Sequence, residues 1–247
     1  MSDVRTELRR VWRRSARYRP RTATGWIMAV TIAAYVVQIA TAGALQQAWQ
    51  YAPVYSLPAT GAPFEPWRML TAALLHQPIS IPGDLIGILH IAFNMYALYL
   101  FGRPLEGVLG RARMVTVYVL GALGGSLAVL ACAFIPISGV QTGATTPVIG
   151  ASGAVFAVLG AVAVVQRRLG VDVRSLVVVI GLNLALGFVL TGIAWQAHVG
   201  GLLVGAVVGW VFITHRGPRR DPRARLIVGA MGAVLVLLAL APAVLAG

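Results

Sequence analysis

"VIGASGAVFAVLG", residues 148–160, decides how the rest of the chain is read. It is apolar over several helical turns, yet near its start it places Ser152 between glycines at 150 and 153. Such a run suits the interior of a bilayer better than a soluble core. Working outward, similar runs recur at 26–45, 85–102, 114–135, 175–194, 195–214 and 226–246, with the stretch at 148–166 making seven. About 20 residues at 1.5 Å each cross roughly 30 Å of hydrocarbon. No polar domain separates the runs, and 58% of the chain is hydrophobic. The expected fold is therefore all-α: a polytopic transmembrane bundle of seven spans.

The net charge of +13 comes from arginine alone, since the chain has no lysine. Placement decides what that charge is for. Eight arginines precede the first run, and Arg103, Arg111, Arg113, Arg167, Arg168, Arg174, Arg216, Arg219, Arg220, Arg223 and Arg225 fall in alternate connections. Only Arg68 lies on the other side. The positive-inside rule puts the amino terminus in the cytoplasm and the carboxyl terminus outside. The charge then reads as a topology signal with lipid contact, and nucleic acid is not an expected partner. The single cysteine, Cys132, rules out an internal disulfide or a cysteine-cluster metal site. The organisation expected is a basic cytoplasmic segment (1–25), a six-helix core (26–215), and a basic loop with one additional helix (216–247). The long outer connection 46–84 is rich in proline and aromatic residues and is expected to rest partly in the membrane interface.

Polar residues inside spans are functional suspects. His90 and Asn94 sit one helical turn apart on one run, Ser152 opens another, and His198 lies near the start of a third. All three runs enter from the outside: Ser152 and His198 are each expected about a turn below their span starts and so at similar depth, His90 deeper than the start of its run and Asn94 deeper still, so that the four could converge on one pocket below the outer surface. Gly201, Gly205 and Gly209 repeat every four residues, and Gly153, Ala157 and Gly160 form a matching small-residue stripe. Packing along those stripes would bring the Ser152 hydroxyl to the His198 ring. A serine beside a histidine is the minimum for nucleophilic catalysis. No acid lies near that depth, so the pair reads as a dyad. Asn94, His90 and the unpaired N–H groups of the first turn after Ser152 are candidate oxyanion donors. Taken singly, each has a plainer reading: Ser152 as a packing contact, His198, Asn94 and Asn183 as polar links between helices, His76 and His215 as solvated. The soluble-esterase elbow G-x-S-x-G is not matched, because Ala154 stands at the final position.

With these residues in hand, the chain resembles the rhomboid family of intramembrane serine proteases. "PWRML" (66–70) resembles its Trp-Arg motif, carried by Trp67 and Arg68. "HIAFNMYALYLFGRPLEGVLG" (90–110) resembles the His-x-x-x-Asn helix and the segment ending in Glu106. "GASGAVFAVLG" (150–160), with Gly150, Ser152 and Gly153, resembles the nucleophile helix, and "AHVGGLLVG" (197–205), with Gly201 and Gly205, the histidine helix. The resemblance implies Ser152 as nucleophile, His198 as base, and His90, Asn94 and the Ser152 amide as oxyanion hole. It implies single-span membrane proteins as substrates, cut near the outer interface, with the fifth span and the loop 191–195 as gate and cap. It implies no metal and no cofactor. A bacterial cytoplasmic membrane is the expected location. Phe156 stands where some members have tyrosine beneath the histidine, and the connection 76–90 is longer than usual. An inactive, client-binding rhomboid-like protein is the alternative; the presence of both Ser152 and His198 weighs against it. A small transporter using His90 and His198 as a proton relay is weaker still.

Overall fold

The computed structural model describes residues 22–78, 85–133, 143–189, 192–215 and 222–245. The basic segment through residue 21, residues 79–84 of the 76–90 connection, residue 191 of the 191–195 loop and the arginines at 216–220 lie outside the described residues. Helices are α1 (Ala23–Ala40), α2 (Ala44–Trp49), α3 (Arg68–Thr71), α4 (Leu85–Ala97), α5 (Arg103–Leu109), α6 (Arg111–Cys132), α7 (Ser152–Arg168), α8 (Arg174–Val189), α9 (Trp195–Thr214) and α10 (Pro222–Leu245). The described residues hold no β-strand, only an isolated bridge between Tyr51 and Val148. Among the described residues five helices are long and apolar enough to cross a membrane: Ala23–Ala40, Leu85–Leu109, Arg111–Cys132, Trp195–Thr214 and Pro222–Ala243. The helices at the fourth and fifth predicted runs are shorter, with 17 and 16 residues. The protein is an integral, multi-pass, all-α membrane bundle.

Several boundaries differ from those expected, each for a local reason. The first span stops at Ala40 rather than 45, because Ala42 and Gly43 take left-handed backbone (φ 47° and 91°) and turn the chain into α2. The second continues past 102 to Leu109 through one π-helical stretch, Leu98–Gly102. Pro104 has no N–H to offer the carbonyl four residues back, and a wider turn absorbs the loss. The fourth begins at Ser152 rather than 148. Val148 is held in its bridge to Tyr51, and Gly150 adopts φ 126°, a conformation that glycine alone adopts without strain. Ser152 is therefore the first residue of its helix, not one turn below the start.

The centre of the bundle is α6, α7 and α9. A Cβ placed on Gly201 would overlap the carbonyl oxygen of Gly153, one on Gly205 that of Ala157, and one on Gly160 that of Leu202. Gly209 meets Ala161 in the same series. The two small-residue stripes thus face each other in parallel register, with backbone against backbone. The third helix enters antiparallel to α7: Gly125 meets Gly153, and Gly121 meets Ala157. Around this trio the periphery is open. On α8, Val178, Leu182 and Phe188 are exposed, and on α10, Leu226, Val234 and Leu237. In lipid such faces carry no penalty.

At the far end of the bundle from Ser152, Glu106 caps α1. Its carboxylate accepts the N–H groups of Ala23 and Thr24 (both 2.9 Å) and the Thr24 hydroxyl (2.8 Å). A negative group at a helix start meets both orphan donors and the positive end of the dipole.

Candidate active site

The glycine register sets the geometry. His198 lies three residues before Gly201 on one stripe, and Ser152 lies one residue before Gly153 on the other. With those glycines in contact, the His198 Nε2 and Ser152 Oγ atoms are 2.9 Å apart. The His198 ring lies flat on Phe156, with centroids 4.2 Å apart and planes 7° from parallel. Phe156 is one turn along from Ser152, so the nucleophile's own helix holds the imidazole. His198 is buried, at 7% exposure, and its Nδ1 has no hydrogen-bond partner. Among the described residues no carboxylate orients the ring; the stack does. Ser152 itself is only partly buried.

The turn before Ser152 completes the arrangement. The Gly150 N–H donates to the carbonyl of Ala72 (3.0 Å), which fastens the turn to the outer connection. A Cβ on Gly150 would come within 3.1 Å of both Nε2 and Cε1 of His90 and 3.7 Å of Ser152 Oγ. The missing side chain is what lets the His90 edge approach the serine. The His90 Nδ1 accepts the backbone N–H of Gln77 at 3.1 Å. In a neutral imidazole the proton then sits on Nε2, the atom turned toward the serine. The first-turn N–H groups of α7 have no intrahelical carbonyl, and Ala151 at the cap supplies no side-chain bond.

Asn94 is buried beside this group, but its amide donates to the carbonyl of His90 on its own helix (2.9 Å). One amide hydrogen is thereby used locally; the second is free to point elsewhere. Asn183, expected to link helices, bonds the Val179 carbonyl of its own helix (2.8 Å) on an exposed face. Trp67 and Arg68 are not brought to the serine. Trp67 is 54% exposed. Arg68 is buried in the outer connection, where its Nη1 donates to the carbonyls of Gln47 (2.6 Å) and Gln50 (3.2 Å), its Nε pairs with Glu65, and its guanidinium covers the Tyr55 ring. It caps the end of α2. Glu106 is likewise remote, at the cap of α1.

His76 corrects the sequence reading most sharply. Expected in solvent, it is fully buried, with its ring 5.1 Å from that of His90 and 6.1 Å from that of Tyr35. Burial, and then the neighbouring His90, push its pKa down to about 3. Nothing local in the sequence marks this burial, because the contacts come from α1 and α4, 38 residues before and 14 after.

Comparison with known proteins gives this geometry a context. Residues 63–215 match the family model described as a Rhomboid domain. The chain is 35% identical over 144 residues to "Rhomboid protease GluP" of Bacillus subtilis (strain 168), covering 56% of this chain and 24% of that protein. It is 31% identical over 149 residues to "RHOMBOID-like protein 6, mitochondrial" of Arabidopsis thaliana, covering 60% and 44%. It is 26% identical over 212 residues to "Rhomboid protease AarA" of Providencia stuartii, covering 76% and 71%. The chain thus spans less than half the length of the first two.

Proposed function

This chain belongs to the rhomboid family, and on that premise we propose that it is an intramembrane serine endopeptidase working through a Ser152–His198 dyad. The observation that carries the reading is the 2.9 Å contact between Ser152 Oγ and His198 Nε2, with Phe156 stacked behind the ring. His198 Nε2 takes the hydroxyl proton as Oγ attacks the scissile carbonyl. The tetrahedral oxyanion is met by the Nε2–H of His90 and the Ser152 N–H, with the remaining Asn94 N–H as a further donor. The imidazolium then protonates the leaving amine. Water, activated by the same ring, hydrolyses the acyl ester and returns the proton to Ser152. No acidic third member is needed, because the aromatic stack fixes the ring plane that a carboxylate would otherwise hold.

The arginine distribution supports an orientation with the serine end of the bundle facing away from the cytoplasm. The substrates that fit are single-span membrane proteins, cut near the outer interface of a bacterial cytoplasmic membrane. α8 and the loop before α9 are the elements through which such a helix would enter: Phe188 stacks on Trp195 there (4.6 Å), while most of α8 is exposed. The test is cleavage of a fluorescent single-span substrate by purified protein in detergent, with labelling by a fluorophosphonate probe alongside. Ser152→Ala and His198→Ala are expected to lower kcat by roughly 10³-fold or more, and Ser152→Ala to abolish labelling. Cleavage at the wild-type level by either variant would overturn the dyad. Wild-type protein that neither cleaves nor labels would point to a client-binding relative instead.

A further inference from the structure

The His76–Gln77 dipeptide is held by α1 and in turn holds His90. Gln38 of α1 is 1% exposed. Its Oε1 accepts the His76 N–H at 3.1 Å, and its Nε2 donates to the His76 carbonyl at 2.7 Å and to Gln46 Oε1 at 3.0 Å. The hydroxyl of Tyr35, one turn earlier, donates to the Gln77 carbonyl at 3.1 Å. Three of the four backbone polar groups of this dipeptide are thus taken by two side chains of one helix. The fourth, the Gln77 N–H, donates to His90 Nδ1. Gly87, a turn before His90, lets the segment lie this close: a Cβ there would come within 2.9 Å of the Gln77 and Pro78 carbonyl oxygens. The His76 ring fills the space between Tyr35 and His90.

From this chain of contacts we propose that Gln38 and Tyr35 are positioning residues that act through His90, fixing which of its ring nitrogens carries the proton. The proposal rests on the reading of His90 as an oxyanion donor. With the Gln77 N–H in place, Nδ1 is an acceptor and Nε2–H points at the serine turn. If the dipeptide withdraws, the proton can move to Nδ1, leaving at Nε2 a lone pair that repels an oxyanion instead of binding it. Neither side chain touches the reacting atoms, and neither lies within the motifs that carry the family resemblance.

The experiment has one reading that needs no substrate. In 15N-histidine-labelled protein in detergent, with His90 assigned by the signals lost in His90→Ala, wild type is expected to show His90 protonated on Nε2 alone. Gln38→Leu is expected to add a population protonated on Nδ1. In the cleavage assay, Gln38→Leu should lower kcat ~10-fold with KM changed by less than about twofold, and it should add less than about twofold to the loss in His90→Ala. An unchanged His90 tautomer in Gln38→Leu, or a loss that multiplies with that of His90→Ala, overturns the proposal. If Gln38→Leu does not fold, Tyr35→Phe, which lacks one hydroxyl, gives the same readings with an effect of roughly fivefold. Absence of Ser152-dependent cleavage would sink the protease reading, while the tautomer would still decide this one.

Discussion

Along the seam between α7 and α9, the facing residues are Gly153, Ala157, Gly160 and Ala161 on one side and Gly201, Gly205 and Gly209 on the other. Along the seam between α1 and the 76–78 segment, the contacts are an amide and a hydroxyl reaching loop backbone. The first seam positions Ser152 and His198 by steric contact, and nothing in it can give. The second positions His90 through hydrogen bonds made by the buried side chains of Gln38 and Tyr35 to the backbone that holds it. A seam of the first kind is broken by adding atoms. A seam of the second kind is broken by removing a donor or acceptor.

The largest effect should follow from a single methyl group. In Gly201→Ala the new Cβ meets the Gly153 carbonyl oxygen, which is backbone and cannot rotate away. Destabilisation of ~3 kcal/mol or more is expected, with loss of cleavage. Gly181→Ala on α8, where nothing lies within 4 Å of the added atom, should be neutral or stabilising by up to ~1 kcal/mol. Thermal unfolding of both variants in one detergent sharpens the contrast, and equal losses would erase it. Gly150→Ala probes the junction of the two seams. Its φ of 126° imposes strain of roughly 2 kcal/mol on alanine, and the added carbon presses on His90. Cleavage should fall more than stability alone accounts for.

The smallest effect separates the seams by pH. His76 titrates at about 3 when folded and near 6.5 when unfolded, so the unfolded chain binds the proton first. Its contribution is present above about 6.5 and is lost as pH falls from there toward 3. Between pH 7.5 and 5.5 wild type should lose about 1.4 kcal/mol through this group. His76→Phe, which keeps a ring between Tyr35 and His90, should lose that much less over the same interval. Identical pH dependence in the two proteins would show that this buried histidine does not report on the second seam.

These differences follow what can and cannot be read along a chain. The stripes on α7 and α9 are periodic, and in lipid a stripe of small residues has one use, so their pairing is visible in the spacing. The arginine in "PWRML" is visible as a motif, but its use as a cap on α2 is not, because the carbonyls it serves lie about 20 residues upstream. Gln38 carries no pattern at all: a lone polar residue near a helix end looks like any interfacial glutamine. The start of α7 escapes for a related reason. Val148 and Gly150 are apolar or small and continue the pattern of the span, and only the pairing with Tyr51 and Ala72 takes them out of the helix.

The apolar spans, the all-α bundle and the helices that bear a serine and a histidine are legible in the chain alone, because bilayer thickness and helical rise turn composition directly into architecture. That Ser152 begins its helix, that His76 is buried against His90, and that Gln38 and Tyr35 hold the backbone between them emerges from long-range contacts in the folded chain. Hydrogen bonds between distant segments have no period, and a buried polar atom declares its partner only when the chain is folded.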